Sequence, residues 1–395
     1  MPTNAWRRHG GKAAVAVALA GAVLAASACG EATRSSSAAD PAPSAAIAKA
    51  LDDVVRAGFP GAQVVISGPG GQRTMTAGVG DLRTGAPIAQ DAQVRIGSNT
   101  KTFVATVLLQ LVAEGKVQLD APVERYLPGV VHGNGNDGNR VTVRQLLQHT
   151  SGLPEYLASG DPSVAPDPNS PQLQVDSEAV RWRHYDDAGL VRIAMSLPPR
   201  FEPGARQVYT NTNYILLGML IERVTGQPVA TEITRRVIEP LGLRATYFPA
   251  AEDTGIRDPH PVGYQETDGQ RVDFTAQNTT WAGAAGAMIS TGAELNKFFT
   301  ALLRGELLPA DQLAEMKKTV PFDRMPGGGY GLGLVRYPTA CKEMWGHGGS
   351  IPGFETRDAV AADGTAVTLT VNQLPASQQS ADVVVKAFDA IACAA

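Results

Sequence analysis

The chain has 395 residues, of which 44% are hydrophobic and 18% are charged, and its formal net charge is −4. This composition is typical of a globular protein with enough material for a sizeable core. The acidic balance and the lack of any long basic run argue against nucleic acid as a partner.

Residues 1–28 predict an export signal peptide. Arg7, Arg8 and Lys12 precede the apolar run 13–26, which at about 14 residues is too short to span a bilayer. Removal of the signal takes three positive charges away and changes the formal net charge from −4 to −7. We therefore expect an exported protein, either secreted or anchored to the membrane.

The end of the signal is compatible with two kinds of processing. Ala26-Ser27-Ala28-Cys29 fits lipoprotein processing, with Cys29 as the lipidated N-terminus, and it also fits ordinary cleavage at a small-residue site. We expect the lipid anchor and keep ordinary cleavage as the alternative. Residues 29–44, rich in Ser, Ala and Pro, predict a flexible tether, and we expect the folded domain to span 45–393.

The cysteines support export. Once Cys29 is lipidated or lost, Cys341 and Cys393 remain, an even number in an oxidising compartment. A disulfide between them would close a loop of about 50 residues and contribute at most ~4 kcal/mol of stability on the chain-entropy model. Two buried free thiols are the alternative.

Hydrophobic periodicity predicts the first elements of the domain. Residues 45–57 predict an amphipathic helix, and 61–67 with 72–79 predict a hairpin. Apolar residues at helical spacing over 98–114 predict a central buried helix. Residues 153–200 are irregular and rich in Pro, Asp and Ser, which is typical of a loop-rich cap.

Helical patterns fill the middle of the chain and alternating patterns return at its end. Further helices are predicted at residues 141–149, 213–225, 229–238, 292–304 and 310–318. Strands are predicted at 330–337, 342–347, 354–361 and 366–372, before a last helix at 381–392. This order predicts an α+β fold: an antiparallel sheet built from both chain termini and flanked by helices, plus a mostly helical lobe over roughly 115–320.

Three short motifs carry the candidate chemistry. They are Ser98-Asn99-Thr100-Lys101, Tyr209-Thr210-Asn211 and His347-Gly348-Gly349. Each is short enough to arise by chance, so their order and context carry the argument.

The first motif predicts an activated serine. Ser98 stands before the long apolar helix, where free backbone N–H groups and the helix dipole favour developing negative charge. Lys101 lies on the same face of the first turn, and burial there would lower its pKa, as a base near neutral pH requires. The alternative is a serine that only caps the helix, with a surface lysine.

The other two motifs predict groups around that serine. Tyr209, between a loop and a helix, would share a proton with Lys101, and Asn211 would orient a substrate amide. A buried tyrosine and an asparagine helix cap are the alternative. His347 ends a strand whose two glycines let a substrate approach the strand edge, or are simply a glycine-rich strand end.

Longer stretches extend these motifs. They are Arg95 to Thr102, Leu146 to Leu153, Pro203-Gly204, Tyr209 to Tyr214, Trp281 with Ala285 to Met288, and Gly346 to Gly349. Over roughly residues 45–392, the chain resembles the serine DD-peptidase and class C β-lactamase family of penicillin-recognising enzymes, specifically its soluble D-alanyl-D-alanine carboxypeptidase branch. The cysteine pair is similarly placed in that branch.

The resemblance implies roles for individual residues. Ser98 would be the acylated nucleophile, and Lys101 and Tyr209 the proton-transfer pair, either of which would be the base. His347 would complete the catalytic group, and the backbone N–H groups of Ser98 and Ser350 would form the oxyanion hole. The implied substrate contacts are Asn211, Trp281, Gly348, Gly349, Ser350 and, near a family cationic position, Arg336.

Two departures from the family pattern bear on the substrate. Gly348 stands where relatives that bind a substrate carboxylate often have a hydroxyl residue, and His347 replaces the lysine of class C β-lactamases. We expect a monomeric D-alanyl-D-alanine carboxypeptidase that acts on peptidoglycan stem peptides and is acylated by penicillins.

The alternatives are a family esterase or β-lactamase-like hydrolase, or a non-catalytic penicillin- or cell-wall-binding protein. We expect no cofactor and no metal, because the histidines show no metal-ligand spacing.

Overall fold

The computed structural model of the chain describes residues 43–158, 167, 170–267 and 269–395. The predicted signal peptide, Cys29 and most of the predicted tether lie outside these residues. Within the described ranges, no helix is both long and apolar enough to cross a membrane.

Helices are concentrated in the middle of the chain, and the longer strands lie towards its ends. The helices are α1 Pro43–Arg56, α2 Thr100–Ala113, α3 Val143–Leu147, α4 Glu178–Arg181, α5 Asp187–Met195, α6 Thr212–Thr225, α7 Val229–Ile233, α8 Glu239–Leu241, α9 Gly283–Gly286, α10 Gly292–Leu303, α11 Ala310–Met316 and α12 Gln378–Ala394. The strands are β1 Gly61–Gly68, β2 Gly71–Gly78, β3 Val94–Arg95, β4 His132–Gly133, β5 Asn136–Asp137, β6 Tyr264–Thr267, β7 Gln270–Asp273, β8 Ile289–Ser290, β9 Val320–Pro321, β10 Gly329–Tyr330, β11 Val335–Pro338, β12 Glu343–Ile351, β13 Phe354–Ala361 and β14 Ala366–Val371.

Eight of these strands form one antiparallel sheet, in the order β2-β1-β14-β13-β12-β11-β10-β9. The N-terminal hairpin joins the C-terminal strands where β1 pairs with β14, so that Val64 lies opposite Leu369 and Val65 opposite Thr368. The predicted sheet, built from both chain termini, is therefore confirmed.

Helices cover both faces of the sheet. α1 and α12 pack together on one face, where Val64 and Leu369 belong to their apolar cluster. On the other face, Asn296 of α10 donates to the Val65 carbonyl at 3.0 Å and accepts from Thr368 Oγ1 at 2.8 Å. Because both faces are covered, every residue of β14 is buried.

The helical lobe is built around α2. Phe103 of α2 stacks on Phe298 of α10, with ring centroids 3.7 Å apart, and α6, α7 and α9 also pack against α2. The apolar cluster around α2 extends through the lobe, which confirms the predicted buried helix. The turn Gly97–Asn99 that leads into α2 contacts β12, so the predicted nucleophile lies where the lobe meets the sheet.

Cys341 and Cys393 form a disulfide, with Cα atoms 5.6 Å apart. The pairing predicted from the sequence is therefore confirmed, and the alternative of two free thiols is wrong. The bond joins the residues just before β12 to the end of α12. It thus fixes the beginning of the strand that carries the third motif.

Candidate active site

The three motifs meet in a cleft between the sheet and the helical lobe, with a cavity volume of about 380 Å³. Most of the residues that the sequence singled out line this cleft. They are Ser98, Tyr209, Asn211, Trp281, His347, Gly348, Gly349 and Ser350. Lys101 is fully buried and reaches Ser98 from behind the cleft surface.

Ser98 sits in a turn of 3-10 helix, Gly97–Asn99, immediately before α2. Asn99 fastens this turn to the sheet, because its Nδ2 donates to Thr356 Oγ1 of β13 at 2.6 Å. Thr100 fastens it to the lobe: its Oγ1 donates to the Gly97 carbonyl at 2.8 Å and accepts from the Met288 amide at 3.2 Å. The turn is therefore held from both sides.

Lys101 has three polar neighbours. Its Nζ lies 2.9 Å from Ser98 Oγ, 2.8 Å from Asn211 Oδ1 and 2.6 Å from the Ala285 carbonyl. Burial lowers the pKa of Lys101 well below its usual range, against the opposing charge of Glu155. In the neutral amine, two N–H groups fit the two oxygen acceptors, and the lone pair is left to accept from the Ser98 hydroxyl.

Glu155 is a site residue that the sequence did not single out. Its Oε2 accepts from the Asn211 backbone amide at 2.7 Å and from Asn211 Nδ2 at 3.1 Å. These two bonds turn Asn211 Oδ1 towards Lys101. Burial raises the pKa of Glu155, while the hydrogen bonds from the Asn211 and Leu157 amides lower it. The sequence offered one indication of this role: Glu155 lies two residues after the stretch Leu146 to Leu153, which resembles the family.

Replacing Glu155 with glutamine is expected to shift the acid limb of the kcat/KM profile to lower pH. The carboxylate charge raises the pKa of Lys101, so its loss lowers that pKa further. The limb would be followed by steady-state kinetics between about pH 4 and 9. The exposed Glu202, which pairs with Arg140, provides the control Glu202→Gln. If the acid limb of the kcat/KM profile stays at the same pH in Glu155→Gln, that limb reports the titration of a group other than Lys101.

Tyr209 is packed among aromatic and cationic groups. Its ring centroid lies 4.1 Å from that of His149, and the guanidinium carbon of Arg324 lies 4.6 Å above the ring. Burial raises the pKa of Tyr209, while a hydrogen bond with Ser98 and the charge of Arg324 lower it. The phenol is thus protonated at neutral pH and lies against the nucleophile.

Two glycines let the first and third motifs touch. A Cβ on Gly349 would overlap the Ile96 carbonyl oxygen and lie 3.0 Å from the Ser98 nitrogen. A Cβ on Gly97 would lie 2.9 Å from the Ser350 nitrogen, and Gly97 has φ +50°. The backbone nitrogens of Ser98 and Ser350 therefore both lie beside the close approach of Gly97 and Gly349, where we expect the oxyanion hole.

His347 is buried and neutral. Burial lowers its pKa to about 3, against a hydrogen bond to the Gly348 carbonyl. Its Nε2 lies 2.9 Å from Tyr330 Oη, and its Nδ1 lies 2.6 Å from the Gly348 carbonyl oxygen.

The structure does not bring Arg336 to the cleft, contrary to the expected substrate contact. Arg336 donates to the Gly327 carbonyl at 3.2 Å and lies 3.5 Å from Glu343. The arginines that line the cleft are Arg324 and Arg357, both missed from the sequence. Arg357 pairs with Glu355 at 2.8 Å and lies opposite Gly348 across the strands, whereas Arg324 makes no hydrogen bond or ion pair with any described residue.

Among the described residues, no group of His, Cys, Asp and Glu side chains could hold a metal ion.

The family model described as Beta-lactamase matches residues 44–389. The esterase EstB of Burkholderia gladioli is 38% identical over 192 residues, which cover 48% of this chain and 47% of EstB. The putative penicillin-binding protein PbpX of Bacillus subtilis is 25% identical over 281 residues, covering 71% and 61% of the two chains. The chain thus spans about half to three fifths of the length of these curated relatives.

Solved structures match over a larger share of their length. The D-stereospecific amidohydrolase from Streptomyces sp. is 40% identical with a TM-score of 0.77, covering 87% of this chain and 98% of that one. The D-amino acid amidase from Ochrobactrum anthropi SV3, complexed with L-phenylalanine amide, is 28% identical with a TM-score of 0.76, covering 89% and 98%. These matches confirm the α+β fold.

Proposed function

The chain belongs to the β-lactamase family of serine hydrolases, and from that premise we propose that it hydrolyses amide or ester bonds on the carbonyl group of a D-amino acid. Ser98 would carry the acyl group between the two half-reactions. This proposal departs from the expected D-alanyl-D-alanine carboxypeptidase, because the amidases and the esterase among the relatives favour the alternative reading.

One observation carries the proposed chemistry. The Nζ atom of Lys101 has only acceptors for its two N–H groups, at Asn211 and Ala285, and it lies 2.9 Å from Ser98 Oγ. A neutral lysine in this position is a general base that is oriented before substrate arrives.

Acylation would proceed by addition and elimination at the substrate carbonyl. Lys101 Nζ takes the Ser98 proton as Oγ bonds to the carbonyl carbon, and the carbonyl electron pair moves onto oxygen. The N–H groups of Ser98 and Ser350 stabilise that oxyanion. When the carbonyl re-forms, the bond to the leaving nitrogen or oxygen breaks, and the leaving group takes a proton through Tyr209.

Deacylation would repeat these steps with water. The same base takes a proton from water as the water oxygen bonds to the ester carbon of the acyl-enzyme. The second oxyanion collapses by breaking the bond to Ser98 Oγ, which recovers its proton and releases the acid. Ammonia, an amine or an alcohol thus leaves first, and a free D-amino acid leaves second.

The cleft wall favours an apolar side chain on the acyl group. Tyr156, Leu157, Val175 and Trp281 line one side, and the Tyr156 hydroxyl donates to the Trp281 carbonyl at 2.7 Å. This bond ties the Tyr156 ring to the Trp281 backbone, and the small Ala285 leaves room beside the two aromatic residues. The Ochrobactrum relative has been solved with D-phenylalanine, a ligand of this shape.

The carboxypeptidase stays as a second candidate because of Arg324. Its guanidinium lines the cleft beside Tyr209, the group that would protonate the leaving group, and it forms no salt bridge with a described residue. A leaving group with a free carboxylate, such as a terminal D-alanine, would pair with this charge. Gly348 counts against the carboxypeptidase, because the middle residue of the third motif then supplies no hydroxyl to bind a substrate carboxylate.

Export remains part of the proposal. The Cys341–Cys393 disulfide is of the kind that persists in oxidising compartments, which supports a location outside the cytoplasm. Lipidation of Cys29 would hold the domain at the membrane and can be read from the mass of the mature N-terminus.

Activity on a substrate panel tests the proposal. Purified protein and Ser98→Ala would be given D- and L-phenylalanine amide, a D-amino acid ester, a D-Ala-D-Ala peptide and a fluorescent penicillin. We expect Ser98-dependent release from the D-amide or D-ester, with little from the L-amide. Release of D-alanine alone would favour the carboxypeptidase. Penicillin labelling without any turnover would indicate a binding protein, and activity that survives in Ser98→Ala would overturn the acyl-enzyme.

A further inference from the structure

Two buried histidines, His149 and His347, contact the same hydroxyl group, that of the buried Tyr330. Tyr330 Oη lies 3.2 Å from His149 Nε2 and 2.9 Å from His347 Nε2. His149 and Tyr330 are completely buried and His347 nearly so, so water does not replace these contacts. A tyrosine hydroxyl has one hydrogen to donate, so at most one of the two imidazoles accepts from Tyr330.

The surroundings of His149 fix the direction of the hydrogen bonds that run from His149 through Tyr330 to His347. Its Nδ1 faces two donors, the Thr210 amide at 3.3 Å and Asn213 Nδ2 at 3.2 Å. The Asn213 amide is oriented by Ser151, whose hydroxyl donates to Asn213 Oδ1 at 2.7 Å. Nδ1 of His149 is therefore an acceptor. Burial lowers the pKa of this histidine well below its usual range, so its single ring proton lies on Nε2 and points at Tyr330.

The direction of the hydrogen bond between Tyr330 and His347 follows from that of His149. Tyr330 accepts from His149, and its own O–H then donates to His347 Nε2. The neutral His347 ring carries its proton on Nδ1, which lies 2.6 Å from the Gly348 carbonyl oxygen and donates to it. Nδ1 also lies 3.0 Å from the Gly348 nitrogen, but the shorter contact is the one that a protonated Nδ1 makes.

His149 holds the second motif from both sides. The Val208 amide donates to the His149 carbonyl at 2.9 Å, and the Thr210 amide donates to its ring. Tyr209 lies between these two anchors, with its ring 4.1 Å from the imidazole. His149 itself has φ +58°, a left-handed conformation that costs energy in a residue with a side chain.

We propose that His149, Tyr330 and His347 form a directed hydrogen-bond chain that positions Tyr209 against the third motif. His347 is then a positioning residue: one ring nitrogen is bound to Tyr330 and the other to the Gly348 carbonyl, so neither exchanges a proton with substrate. The catalytic consequence rests on the proposed function, whereas the direction of the chain belongs to the resting protein.

The direction can be read without any substrate. Long-range ¹⁵N–¹H spectra of histidine-labelled protein would be assigned with single His149→Gln and His347→Gln variants. We expect both rings to stay neutral from about pH 5 to 8, with the proton on Nε2 in His149 and on Nδ1 in His347. Finding the proton on the same nitrogen type in both rings overturns the directed chain, whether or not the substrate panel succeeds.

The positioning role is tested by Tyr330→Phe. We expect kcat to fall about 10-fold or more while KM changes less than about threefold, because the ring geometry of Tyr209 is lost and the binding surface is not. Both buried histidine spectra should change. Tyr264→Phe is the matched control. It removes a hydroxyl that accepts from the Leu82 amide at 2.8 Å and does not line the cleft.

Wild-type kcat together with unchanged histidine spectra in Tyr330→Phe overturns the positioning role. A fall in kcat shared equally by Tyr264→Phe overturns it as well, because the effect would then follow from lost stability alone. If Tyr330→Phe does not fold, the wild-type proton positions still decide the direction of the chain.

Discussion

Lys101→Met is expected to abolish turnover and to change how the stability of the protein depends on pH. Loss of the base should lower kcat/KM by about 10³-fold or more. Methionine has a similar length and no ionisable group, so it removes the base and leaves the packing around α2 nearly intact. Substrate hydrolysis and penicillin labelling would both be measured.

The stability effect follows from the buried amine. In the fold, burial keeps the pKa of Lys101 well below its usual range, whereas the unfolded chain binds a proton at this side chain up to about pH 10.4. Between these two pKa values the unfolded state holds more protons, so wild-type stability gains up to about 1.4 kcal/mol for each unit that the pH rises. Lys101→Met lacks this dependence.

Denaturant unfolding at about pH 6 and pH 9 would reveal the difference. We expect the stability of Lys101→Met, relative to wild type, to be greater at the lower pH. The control is Lys116→Met, because Lys116 is 51% exposed and pairs with Glu114 at 2.8 Å. Equal pH dependence in wild type and Lys101→Met would mean that Lys101 stays protonated in the fold and is not the base.

Local pattern predicted most of the helices and strands because their periodicity is a local property of the sequence. The expected hairpin 61–67 and 72–79 is found as Gly61–Gly68 and Gly71–Gly78, where alternation and a glycine-rich turn agree. Some shorter elements were not predicted. Asp187–Met195 is a helix capped by Asp186 inside the stretch expected to be irregular, because two and a half turns give too weak a periodicity.

The site was predicted where its residues are close in sequence. Ser98 and Lys101 share one helical turn, so their spacing alone predicted the contact. Glu155 meets Asn211, 56 residues further along the chain, only through the packing of the lobe. Arg336 was expected near the substrate because of the resemblance to the family. In the structure its neighbours Val335 and Tyr337 line the cleft, and alternation along β11 places Arg336 on the opposite face of the strand.

Gly349→Ala is expected to lower kcat by about 10²- to 10³-fold. Its new methyl group would overlap the Ile96 carbonyl oxygen and lie 3.0 Å from the Ser98 nitrogen, so β12 and the turn before α2 must separate. The Ser350 amide moves with β12 and the Ser98 amide stays with the turn. In the proposed mechanism both donors act on one oxyanion, and a separation of about 1 Å is enough to weaken them.

A matched glycine separates this effect from a general loss of stability. A Cβ on Gly61 would likewise overlap a backbone carbonyl oxygen, that of Val79, but Gly61 lies at the start of β1 and does not line the cleft. We expect both variants to lose stability and only Gly349→Ala to lose kcat in the folded protein. The second-order rate of penicillin acylation should fall with kcat, because it also passes through an oxyanion.

Neither glycine is replaced at a left-handed backbone position, so steric overlap alone drives the prediction. Rates would be measured below the unfolding transition of each variant, with folding checked by circular dichroism. If Gly349→Ala turns over at the wild-type rate while folded, the Ser98 and Ser350 amides do not share the oxyanion. The oxyanion hole would then have to be sought among other donors that line the cleft, of which the guanidinium of Arg324 comes first.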